Sequence, residues 1–219
     1  MFRSRSGSRH TRLKKGSFGL VAVVTAVGIG IPALAGSGVA ASASAPWLDS
    51  HKPIAARVST LLHAMTLDEK VGQMDQQLVA TVTDPNSATC GGNGFNMPNP
   101  ACLQKVLVQQ HVGSVLAGGT DNPIDTTGGG GVGNTGFDWA NEYNMIQQYA
   151  IQNTRLHIPL IFGVDAVHGF GHPWEAPLFP QSIGMGATWD PAATQAGGEA
   201  TADALRATGW TWDFAPVQD

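Results

Sequence analysis

Hydrophobic and polar residues run along this chain in blocks whose period changes several times. Ile54, Val58, Leu61, Leu62 and Met65 recur at the spacing of a helix face. Thr66-Leu67-Asp68-Glu69 has the form of a capping box, with Thr66 bonding the Glu69 amide and Glu69 reaching back. Val71, Met74 and Leu78 are expected to face inward after it. Asp84 to Pro100 is rich in Asn, Gly and Pro and reads as loop. Leu103, Val106, Leu107 and Gln110 predict a further helix, and Ser114-Val115-Leu116-Ala117 a short strand. Gly118 to Gly136 is a long glycine-rich loop. Helical spacing returns from Phe137 to Asn153, with Ala140, Tyr143, Ile146, Tyr149 and Ala150 near one face. Ile158 to Val164 is nearly unbroken apolar sequence, the composition of a parallel strand buried on both faces. A loop covers Asp165 to about Asp190. Pro191 opens a helix at a favoured position, Gly209 closes it, and Trp210 to Val217 reads as a strand.

Strands separated by helices predict an α/β fold with a parallel sheet and crossover connections. No internal repeat is visible. In such folds, sites form beyond the C-terminal ends of strands. Two polar clusters fall there: Gly118-Gly119-Thr120-Asp121 and Asp165-Ala166-Val167-His168. A complete eight-stranded barrel takes about 250 residues. The chain has 219 residues and its last predicted strand has no covering helix. The expectation is therefore a partial (β/α)8 TIM-type barrel, truncated before completion.

Composition narrows the function. Hydrophobic residues make up 42% and charged residues 13%, enough apolar material for a substantial core. Six of the 12 Lys and Arg lie in the first 15 residues, and no acidic residue precedes Asp49. The remainder sets six cations against 16 acidic residues. So acidic a body is a poor partner for nucleic acid, whose phosphates need clustered Lys and Arg.

The N-terminus reads as a secretory signal: a basic head to Lys15, an apolar middle from Phe18 to Ala35, then small residues to Ala45. Ala41-Ser42-Ala43 is the favoured cleavage site, since Pro46 would follow the alternative Ala43-Ser44-Ala45. Residues 1–43 are then leader and residues 44–219 the mature piece. An uncleaved membrane anchor is the competing reading, but Gly28, Gly30 and Pro32 interrupt the apolar run. The expectation is an extracytoplasmic protein with no stable membrane anchor. Export also bears on Cys90 and Cys102, the only cysteines: a disulfide is the natural reading, two free thiols the other.

Three constellations invite chemistry. Gly131-Val132-Gly133-Asn134-Thr135-Gly136 matches GxGxxG, but no buried strand leads into it and no acidic residue follows on a second strand. A flexible loop is the better reading, and no cofactor is expected. His168 and His172 with Glu175 have a metal-like spacing, yet two His four apart share a face only on a helix. Gly169, Gly171 and Pro173 forbid one, so no metal site is expected. Asp165 stands directly after the buried strand. A carboxylate there can accept hydrogen bonds from adjacent hydroxyls, as a sugar presents them, or it can simply cap the turn. The chemistry of the residue leaves both open.

The motifs together resemble a known family. They are Gly163-Val164-Asp165-Ala166-Val167-His168-Gly169, then Leu178-Phe179-Pro180-Gln181-Ser182-Ile183-Gly184-Met185-Gly186-Ala187-Thr188-Trp189-Asp190-Pro191, then Glu199-Ala200-Thr201, Arg206-Ala207-Thr208-Gly209 and Phe214-Ala215-Pro216-Val217. Upstream, Met65 to Met74 looks like an opening helix of the same family, and Gly113 to Gly119 like its next strand and loop. This is similar to the N-terminal domain of glycoside hydrolase family 3, the β-glucosidases and exo-acting β-glucan hydrolases. The resemblance implies a barrel-type domain. It implies hydrolysis of terminal non-reducing β-D-glucosyl residues by a retaining mechanism, with an Asp nucleophile and a Glu acid/base about 5–5.5 Å apart. Asp165 matches the family's Asp that binds hydroxyls of the glucose ring.

The nucleophile, the acid/base, and the Arg and Lys-His pair of the family would lie beyond Asp219. No catalytic residue is therefore expected in this chain, which should be inactive alone. Phe137-Asp138-Trp139 looks like the nucleophile motif, but it precedes Asp165 rather than following it. Asp138 is better read as a helix-start residue. Ala204 stands where many members carry a Glu. The N-acetylglucosaminidase branch has a different motif after this strand. The partner is then a β-linked glucoside or oligosaccharide. Two rivals remain: a non-catalytic carbohydrate-binding fragment and a nucleotide-dependent α/β enzyme. Trp174, Trp210 and Trp212 could stack on sugar faces, with core packing the better reading for the last two.

Overall fold

The computed structural model describes residues 45–84, 88–90, 97–117, 122–123 and 133–217. The expected leader, the Gly118 to Asp121 cluster and the first residues of the GxGxxG match lie outside these. Four strands form one all-parallel sheet in the order β1-β2-β3-β4. They are β1 (Gln76–Leu78), β2 (Ser114–Leu116), β3 (Ile161–Val164) and β4 (Trp212–Asp213). Val115 aligns with Gln77 on one side and Phe162 on the other, and Val164 aligns with Asp213. Helices α1 (Ile54–Ala64) and α2 (Leu67–Gly72) precede the sheet. Helices α3 (Val79–Thr83) and α4 (Pro100–Leu103), the latter running into a π-helical segment Gln104–Gln109, link β1 to β2. Helix α5 (Gly136–Asn153) links β2 to β3, and α6 (Ser182–Ala187) and α7 (Pro191–Thr208) link β3 to β4. This is the α/β class with a parallel sheet.

Local sequence explains the helix ends. Thr66 and Glu69 form the full capping box of α2. Thr135 and Asp138 form a second one on α5, so Asp138 sits at the third helical position rather than before the helix. Its Oδ2 accepts from the Thr135 amide at 3.0 Å. Asp190 caps α7, Pro191 follows at its first position, and Gly209 ends it in the left-handed region at φ 94°. A side chain at Gly209 would collide with the Tyr143 ring, 2.3 Å from an added Cβ.

The core lies between the sheet and α5. Phe162, Val164, Val115, Ile146 and Phe170 are fully buried in it. Phe170 meets Trp139 and Trp210 edge to face, and the tilted Trp139 and Trp210 rings have centroids 5.6 Å apart. Trp210 is core, as expected. Trp212 is not: it is half exposed and rests against Phe214 instead.

Several expectations need correction. Val71, Met74 and Leu78 face solvent. Helix α2 turns Glu69 and Gly72 inward, because Glu69 pairs with Arg155 and Gly72 packs on the backbone of Gln110 and His111. Residues 76–78 form a strand that their Gln-Gln-Leu sequence does not announce. The expected strand from Ile158 begins only at Ile161. Pro159 has no N–H, and both backbone groups of Leu160 are taken by the Gln147 amide, at 2.8 and 3.1 Å. The strand expected from Trp210 to Val217 is just Trp212–Asp213. The Ala215 N–H turns back to Asp213 Oδ1 at 3.2 Å, and Pro216 has none to give. The expected disulfide between Cys90 and Cys102 is present, with Cα atoms 5.4 Å apart, and Cys102 lies on α4.

Candidate functional site

Strand β3 ends on buried Val164, and Asp165 follows it at the C-terminal edge of the sheet, exposed. Asp165 lines a cleft of about 270 Å³ with Val167, His168, Gly169, Gly171, His172 and Leu178. The turn beneath it is held from the next strand: the Ala166 N–H donates to Asp213 Oδ1 at 3.0 Å. Asp213 therefore supports the site without lining that cleft. Sequence reading missed it, although an Asp inside an otherwise apolar strand was the available signal.

The rest of the loop folds back on itself. His168 Nδ1 lies 2.9 Å from the Phe179 carbonyl oxygen, and the Phe179 N–H donates to the His168 carbonyl at 2.7 Å. Gly169 adopts φ 105°, and an added Cβ would stand 2.4 Å from the Pro177 carbonyl. His172 stacks against Trp139 and Phe170. His168 and His172 thus have separate duties, and among the described residues no group of three His, Cys, Asp or Glu is placed to hold a metal ion. Trp174 is exposed on the same loop, its N–H bonded to the Asn134 carbonyl.

A second cleft of about 490 Å³ shares Val167, His168 and Gly169 with the first, and is also lined by Ala166, Phe179, Pro180, the helices α6 and α7, Asp213 and the chain after β4. A third, of about 370 Å³, contains Glu69, Arg155, His111 and Leu160. Leu160 and Val112 precede their strands, so this cleft opens at the end of the sheet opposite Asp165. Its ion pair is structural. The Arg155 guanidinium holds the Glu69 carboxyl well below the usual range, at about 2, against the opposing effect of burial. The Asp138 carboxylate is engaged in the α5 cap and is not in the Asp165 cleft.

Comparison with known proteins places this architecture. Residues 66–219 match the glycosyl hydrolase family 3 N terminal domain. The lysosomal beta glucosidase of Dictyostelium discoideum is 30% identical over 161 residues, which is 73% of this chain and 18% of that protein. A probable beta-glucosidase C of Aspergillus flavus is 30% identical over 157 residues, 68% of this chain and 22% of that one. Among solved structures, an exo-1,3/1,4-beta-glucanase from a Pseudoalteromonas species superposes with a TM-score of 0.54 at 29% identity, covering 74% of this chain and 17% of the other. The chain belongs to glycosyl hydrolase family 3, within its N-terminal domain. It spans about a fifth of the length of these curated relatives.

Proposed function

We propose that the full-length protein hydrolyses terminal non-reducing β-D-glucosyl residues of β-glucosides or β-glucans by a retaining mechanism. The observation that carries this is the position of Asp165: first residue beyond β3, exposed, and lining an open cleft together with residues of its own loop. There its carboxylate accepts from hydroxyls of the terminal sugar, and charge-assisted bonds fix the ring. In this reading the nucleophile and the acid/base come from residues beyond 219. One forms the glycosyl-enzyme; the other protonates the leaving oxygen and then activates water. The four parallel strands are the first part of a (β/α)8 barrel. Residues 1–43 direct export and are removed, which mass measurement of the secreted protein's N-terminus tests.

The activity is tested by assaying the full-length protein on nitrophenyl β-glucoside and on laminaribiose, following the anomer first released. Release of β-glucose, with kcat/KM lowered at least tenfold by Asp165→Asn, supports the proposal. Release of α-glucose, or an Asp165→Asn variant indistinguishable from the parent, overturns it. Residues 44–219 alone are expected to release no nitrophenol above the blank.

A further inference from the structure

The cleft that Asp165 lines is built from its own loop, and one residue ties two parts of that loop together. Asp165 and Phe179 are 14 positions apart, and residues 171–180 between β3 and α6 contain no helix or strand to hold the chain together. His168 holds it. Its carbonyl accepts from the Phe179 N–H at 2.7 Å, and its ring Nδ1 meets the Phe179 carbonyl at 2.9 Å. A carbonyl oxygen carries no hydrogen, so Nδ1 must be the donor. One residue thus makes a two-bond clamp across the mouth of the loop, one bond by backbone and one by side chain. Gly169, at φ 105° and in contact with the Pro177 carbonyl, lets the two arms run that close. His168 itself lines the Asp165 cleft and also the larger cleft beside α7, which Phe179 lines too.

We infer that His168 is a positioning residue for substrate binding: its Nδ1–H clamp on Phe179 holds the 165–180 loop at the width that lets Asp165 engage a sugar ring. This rests on the proposed glycosidase reading for its substrate, but not for the clamp itself. The clamp also decides the imidazole's tautomer. With Nδ1 donating, Nε2 of the neutral ring is left as an acceptor. Replacement by a residue that keeps a donor at the Nδ1 position should keep the loop, and replacement by an apolar residue of similar bulk should open it.

The test uses the full-length protein with H168N and H168L. The Asn amide can supply the donor at the Nδ1 position; Leu cannot. H168L is expected to raise KM for nitrophenyl β-glucoside about tenfold with kcat changed less than threefold, the loss of one hydrogen bond. H168N is expected to return KM to within about threefold of the parent. Proteolysis should nick H168L within residues 169–178 sooner than H168N. Equal behaviour of the two variants overturns the inference, as does a loss confined to kcat. Histidine-labelled protein provides a measurement independent of activity and of variant folding: nitrogen shifts of His168 should report the Nδ1–H tautomer, and the Nε2–H tautomer overturns the clamp. If the parent enzyme hydrolyses no β-glucoside, the substrate reading falls, while the tautomer and the proteolysis still decide the clamp.

Discussion

Arg155, two residues beyond the end of α5, reaches Glu69 of α2 across 86 positions of sequence and grips both carboxylate oxygens. Nε meets Oε1 at 2.9 Å, and Nη2 bonds Oε2 as well as the Ala64 carbonyl. Glu69 is buried while Arg155 stays half exposed. The same carboxylate also completes the capping box through the Thr66 N–H. One side chain therefore caps the start of α2 and ties that helix to the segment that leads from α5 into β3. Bidentate geometry of this kind makes the pair worth more than an ordinary surface ion pair.

Acid should expose that pair. Its folded pKa is about 2 against an ordinary value of 4.5, so the group binds fewer protons folded than unfolded. Its contribution is present above about pH 4.5 and is lost as pH falls toward 2. Glu69→Gln should lower stability at pH 7 by about 1–3 kcal/mol, reduced by solvent around Arg155. Urea unfolding of both proteins at pH 7, 4 and 3 should show the gap closing as the solution acidifies.

Gly113 is expected to tolerate no side chain. An added Cβ would stand 2.5 Å from the Gln73 carbonyl and 2.7 Å from its Cα, both backbone atoms. The Gly113 N–H bonds the Gly72 carbonyl at 3.1 Å in the same contact. Gly113→Ala should cost about 1–3 kcal/mol and lower the melting temperature. Gly198→Ala, where an added Cβ meets nothing within 4 Å, is the control and should melt no lower.

Gln147 replaces a strand neighbour for Leu160, so its loss should be severe for so small a change. Gln147→Leu keeps the bulk and strands a buried N–H and a buried C=O. A cost of about 2–4 kcal/mol is expected in denaturant melts. Amide exchange at Leu160 should accelerate in step; unchanged protection there would count against the assignment.

The Cys90–Cys102 bridge closes a short loop, 12 positions apart. Reduction, or Cys90→Ser with Cys102→Ser, should destabilise the protein by about 3 kcal/mol in the chain-entropy account. The Asp165 cleft does not include either cysteine, so the β-glucoside affinity proposed for the full-length protein should hold below the new melting temperature. Comparing melts with and without reductant checks both halves.

Much of this fold was legible residue by residue, because the relevant partners are close in the chain. Thr66 and Glu69 satisfy helix-end amides three positions away; Asp190 does the same for α7, Pro191 opens it with no N–H to satisfy, and the Gly209 N–H closes it on carbonyl oxygens. The run around Phe162 announced a buried strand, and Asp165 follows it, exposed at the C-terminal edge of the sheet. What stayed hidden depends on partners far apart in sequence. The inward face of α2 is chosen by Arg155 and by Gly72 against His111, so Val71 and Met74 are exposed despite their apolar spacing. The start of β3 is set by Gln147, and β1 exists because β2 offers Gln76 to Leu78 an edge. The clamp of His168 on Phe179 is of the same kind. Capping and periodicity act within one turn and leave a pattern in the chain; a hydrogen bond made only after folding leaves none.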